Sequence, residues 1–171
     1  MDMMSLLADQ ERRGFADLAG SGGQGVVRVS ERLLNAAIAE QLQGSPAIRE
    51  LQVAPRAGDR FGVRVLLAKP SFLPPITLEV VIDKQPSLPD DPVLGLTLSG
   101  MGGLLRFAGP LAGFFTSLPP GVRLEGERVF VDLRAVLAER GLGTVLNYVE
   151  AARVTSEQGR LVLSFQLRVR E

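Results

Sequence analysis

Proton transfer or nucleophilic attack in this chain would have to run on aspartate, glutamate, serine, Tyr148 or two lysines, Lys69 and Lys84, because histidine and cysteine are both absent. That excludes imidazole-based triads and dyads, thiolate nucleophiles, disulfides and the common zinc sites, which draw their ligands from those two residue types. The groups that remain do not converge in sequence. Asp90 and Asp91 sit between prolines, where adjacent acids are ordinarily solvated. Glu125 and Glu127 share the neighbourhood of Gly126 with Arg123 and Arg128, so cations match anions and a solvated hairpin fits better than a metal site. Ser99 lies in Ser99-Gly100-Met101-Gly102, where the glycines are misplaced for a nucleophile elbow. Residues 20–25 (GSGGQG) match neither a P-loop nor a dinucleotide fingerprint. The chain is therefore expected not to be an enzyme, and to use neither a cofactor nor a metal.

Charge narrows the partners. Nineteen basic residues balance nineteen acidic ones, so the net attraction expected of a general nucleic-acid binder is missing. The segment that invites a partner is instead apolar: residues 101–118 read MGGLLRFAGPLAGFFTSL. Leu104, Leu105, Phe107, Leu111, Phe114 and Phe115 are the candidate contacts for a lipid or another apolar small molecule, since ligand sites are commonly apolar with few polar anchors. Arg106 offers a planar fork for a phosphate or carboxylate head group; otherwise it reaches water or pairs with a carboxylate. Three readings of the segment stay open: a buried core helix, a ligand groove or lid, and a partner surface in a scaffold or homo-oligomer. A membrane span is rejected, because the run is marginal in length and a central charge costs roughly 2.5–3.5 kcal/mol on insertion scales.

These residues need elements to position them. At the start, Met3, Met4, Leu7, Phe15 and Leu18 recur at helical spacing, and the four glycines of residues 20–25 read as a flexible linker. Residues 1–25 are thus expected to form an amphipathic helix plus linker that docks weakly, swaps between subunits or touches a membrane surface. Residues 26–171 are expected to form one α+β domain. The N-terminus carries acidic residues where a secretory apolar region would lie, so the chain is expected to be cytoplasmic.

Within the main domain, Val26, Val27 and Val29 predict a strand running into Ser30, a good N-cap. Leu34, Ile38 and Leu42, joined by Leu33 and Ala37, predict the apolar stripe of a helix whose outward side carries Arg32, Asn35 and Glu40. The period then changes from helical to alternating. Leu51 and Val53, then Phe61, Val63, Val65 and Leu67, then Ile76, Leu78, Val80 and Ile82, then Leu94, Leu96 and Leu98 each mark one strand's inner face. Ala57-Gly58-Asp59, Pro74-Pro75 and the stretch from Pro86 to Pro92 punctuate them. Asp132 can cap a short helix over residues 133–140 closed by Gly141, and a hairpin around residues 156–159 ends the chain.

A strand entering an amphipathic helix (VVRVSERLLNAAIAEQL) and followed by a long aliphatic-faced meander resembles half of a tubular lipid-binding (TULIP) domain, of the bacterial phospholipid-binding type. The resemblance rests on element order and hydrophobic phase over residues 26–170. It implies a curved antiparallel β-meander wrapped on the amphipathic helix; the additional apolar helix expected over residues 101–118 is read from that segment's own composition and has no counterpart in the family. It also implies non-enzymatic binding or carriage of a lipid-like ligand in a groove between sheet and helices.

Overall fold

A computed structural model of the chain describes residues 19–69, 71–100, 118, 120–139 and 141–169, together with Arg13. Among the described residues every strand pairing is antiparallel, and the strands form two sheets. The smaller has the order β1-β9-β8, from Gly22–Ser30, Arg160–Arg168 and Val149–Glu157. The larger contains β2 (Ile48–Arg56), β3 (Arg60–Leu67), β4 (Ile76–Lys84), β5 (Val93–Ser99), β6 (Val122–Glu125) and β7 (Arg128–Asp132), in the order β2-β3-β4-β5-β7-β6. The expected meander is thus present in β2 to β5. The smaller sheet joins the first strand to the last two, a pairing that local periodicity does not reveal. The glycines expected in a linker also belong to it: Gly22, Gly23 and Gly25 pair with Arg168, Leu167 and Phe165. The expected N-terminal helix lies outside the described residues.

Helix α1 (Glu31–Gln41) begins where the Ser30 side chain accepts from the Leu33 N–H at 3.3 Å, and Glu31 occupies the first turn. Two of its residues depart from the expected wheel. Leu33, assigned to the apolar stripe, is 59% exposed. Asn35, assigned outward, is half-buried: its amide donates to the Val53 carbonyl at 2.9 Å and its oxygen accepts from the Val53 N–H at 2.7 Å. A side-chain amide thereby substitutes for a strand along the outer edge of β2. Pro55, two residues on and fully buried, turns the same way, so its missing N–H removes no ladder bond. Its carbonyl accepts from Gly159 at 2.9 Å.

That contact begins a polar seam between the sheets. The turn at residues 57–59 places Asp59 at φ 59°, and its carboxylate accepts from the Ser156 N–H at 3.0 Å. Buried Ser156 donates its hydroxyl to the Arg56 carbonyl at 2.6 Å. Gln85 grips Val154 on the same strand, donating to its carbonyl at 2.6 Å and accepting from its N–H at 2.9 Å. Buried polar groups are costly unless paired, so these bonds fix how β8 lies against the larger sheet. Beneath the seam, Phe61, Val80, Ile82, Leu94 and Val154 form the main buried cluster.

The second helix, α2 (Leu133–Ala138), starts at Asp132, whose carboxylate accepts from the N–H groups of Arg134 and Ala135 at 2.9 and 3.2 Å. Gly121 stands against this helix start at φ 86°, and a Cβ there would lie 2.8 Å from the Ala135 Cβ and 3.0 Å from the Asp132 carbonyl oxygen. Gly121→Ala is therefore expected to lower unfolding free energy by about 2 kcal/mol, from left-handed strain and crowding together. Chemical denaturation measures it; an unchanged midpoint would show that the turn adapts freely. A 3-10 helix, Gly143–Tyr148, buries Leu146 and leads into β8.

Candidate apolar binding cleft

Because β-strand side chains alternate, one face of the larger sheet can be wholly apolar while the other is charged. Registers show that this sheet does so. Phe61 lies beside Val80 and Val80 beside Leu98, while Ile82, Leu96 and Val129 share the next row and Leu94 and Val131 the one after. The opposite face carries Arg56, Arg60 and Arg64 near Glu79 and Glu50, at separations of 3.8 to 4.0 Å. There too Arg128 meets Asp83 at 2.9 Å, and Arg123 and Arg128 both cover the Phe130 ring. The charges are thus held to one face of the sheet, while the other is apolar.

The apolar face borders a cleft of about 310 Å³. Helix α1 contributes Leu34 and Ile38, one turn apart on a single side; β2 contributes Leu51 and Val53; β3 contributes Phe61 and Val63. Val80 and Ile82 of β4 and Leu94, Leu96 and Leu98 of β5 form the floor, while Val154 and Leu161 enter from the smaller sheet. Every one of these side chains is hydrocarbon, so the described residues of the walls offer no proton donor, nucleophile or metal ligand. The lining residues differ in burial. Phe61, Val80, Ile82, Leu94 and Val154 are buried, whereas Leu51, Val63, Leu96 and Leu98 keep partial exposure. Its volume is roughly twice the ~150 Å³ of an engineered apolar cavity that holds benzene.

A larger depression, about 540 Å³, crosses the smaller sheet, but Gln24, Arg153 and Gln166 line it beside Gly25, Ala152 and Phe165. There the Phe165 ring covers Gly25 so closely that a Cβ would approach it to 2.5 Å.

The candidate contacts Leu104, Leu105, Arg106, Phe107, Leu111, Phe114 and Phe115 lie outside the described residues. Among the described residues, β6 is the next strand of the larger sheet after β5. Both strands run antiparallel to β7, so they are parallel to each other. The wall residues were legible as an inner strand face, but alternation alone cannot tell a filled core from a cleft. Among the described residues no group of acidic side chains gathers as a metal site, and no helix is long and apolar enough to cross a membrane. Of Asp90 and Asp91, Asp91 pairs with Lys84 at 2.7 Å. No protein-family model, curated protein or solved structure matches this chain.

Proposed function

We propose that the chain is a non-enzymatic carrier or sensor of a lipid-like molecule whose hydrocarbon chain lies between α1 and the inner face of the larger sheet. The observation that carries this reading is the cleft of about 310 Å³ whose walls, among the described residues, are purely hydrocarbon. An antiparallel sheet facing an amphipathic helix is also the arrangement that the resemblance to tubular lipid-binding domains implies. Each methylene removed from water contributes about 0.8 kcal/mol, so a chain of about ten carbons gains ~8 kcal/mol before the cost of association. That suits reversible binding of one acyl chain. The polar end of such a ligand finds no partner in the walls and belongs in solvent at the half-exposed side.

Native mass spectrometry of the purified protein, followed by lipid extraction, tests the reading directly. Bound lipid of narrow chain length is the expected result. Filling the cleft with Leu96→Trp is expected to weaken uptake of a fatty acid about tenfold, equivalent to displacing some two methylenes. Repeated recovery of ligand-free protein that takes up neither fatty acids nor phospholipids would overturn the proposal.

A further inference from the structure

Two sheets present four lateral edges, and the fold treats one of them differently. A free edge displays unpaired N–H and C=O groups and invites another strand, so proteins commonly cap, shorten or charge it. The β2 edge is capped at Val53 by Asn35 and at Pro55 by Gly159. The β8 edge is capped at Val154 by Gln85 and at Ser156 by Asp59. The β6 edge spans only four residues, two of them the ion pair Arg123 and Glu125. Among the described residues the β1 edge has none of these protections. It is nine residues long, carries Arg28 as its one charge, and pairs with no strand but β9 among the described residues.

Val26 and Val27, at the middle of β1, are 52% and 47% exposed. Successive strand residues point to opposite faces, so the occupant of this edge must cover both. A layer stacked on one face covers one valine; a strand laid alongside covers both. The sequence of β1 is also complementary to itself when reversed, with Gly22, Gly23 and Gly25 in the first half and Val27 and Val29 in the second. About a two-fold axis at Val26, valine meets its own copy, Gln24 meets Arg28, Gly25 meets Val27 and Gly23 meets Val29. No like charges oppose; on the second face Val29 meets Gly23, which has open space beside it, and Val27 meets Gly25, over which the Phe165 ring lies. We propose that β1 pairs antiparallel with β1 of a second copy of this chain, joining two smaller sheets into one continuous sheet across an isologous interface.

Sedimentation of the full chain over micromolar to millimolar concentration tests this. The wild type is expected to dimerise reversibly. Val26→Lys places two ammonium groups opposite each other and should weaken the dimer about tenfold, combining lost valine packing with repulsion. Val26→Glu should do the same, and a mixture of the two variants should recover a heterodimer. Thermal unfolding should show both variants folded, because Val26 is half exposed. A wild type that stays monomeric, a dimer indifferent to both substitutions, or a mixture that fails to reassociate each overturns the proposal; the first would mean that the edge is covered within one chain or by another protein.

Discussion

Replacing Phe61 with alanine is expected to cost about 3–5 kcal/mol of unfolding free energy, the range for truncating a buried phenylalanine. The ring is 7% exposed and stands between Pro55 on β2 and Val80 on β4, the former fully buried and the latter 8% exposed. It also borders the cleft, so the space left by its removal merges with an opening that its neighbours already fail to close. Relaxation then recovers little of the lost contact, which favours the upper part of that range. Against a typical stability of about 5–15 kcal/mol, the variant loses a large share of its folded population margin. Urea denaturation measures the effect; a loss below about 1 kcal/mol would show that Phe61 is not part of the packed core.

The contrast between Phe61 and Asn35 shows what periodicity could reveal. Phe61, Val63 and Val65 alternate, and burying one face of a pleated strand is enough to require that pattern, so the strands of the larger sheet were readable up to β5. Ser30 and Asp132 were readable as helix caps because their oxygens meet N–H groups only a few residues away. Asn35 was placed outward by the same helical geometry that placed Leu34 inward. Its actual position depends on Val53, a residue in another element, and no local pattern encodes that demand. Gln85 and Asp59 are similar: each stands in turn-like sequence that reads as solvated, and each serves a backbone group on β8. The pairing of β1 with β9 joins the two ends of the described chain, so only the assembled structure specifies it. The apolar inner face was legible from alternation, but its incomplete closure was not, since that depends on how α1 and the smaller sheet sit above it; the residues that the sequence pointed to, Leu104 to Phe115, lie outside the described residues.

Gln85→Leu removes both bonds to Val154, leaving an N–H and a C=O without partners beside a side chain that is 8% exposed. Each orphaned group costs about 1–3 kcal/mol, so the expected loss is about 2–5 kcal/mol, reduced to the extent that water reaches the half-buried site. Leucine matches the volume of glutamine, which isolates the polar contribution from a cavity effect. Gln85→Glu adds a pH signature. A neutral carboxyl can donate to the Val154 carbonyl and accept from its N–H; a carboxylate can only accept, and it faces the carbonyl oxygen with charge. Folding therefore favours the protonated form and raises the folded-state pKa of the introduced carboxyl above the ~4.3 of an unperturbed glutamate. With the folded value raised, the contribution of that carboxyl is fully present below the unfolded pKa and is lost as pH rises through the folded one. The Gln85→Glu variant should thus approach wild-type stability in acid and fall toward Gln85→Leu at neutral pH. Denaturation at several pH values decides the matter, with amide exchange at Val154 as a local check: a Gln85→Leu variant within about 0.5 kcal/mol of wild type, the range of ordinary surface substitutions, would mean that Gln85 does not hold the two sheets together.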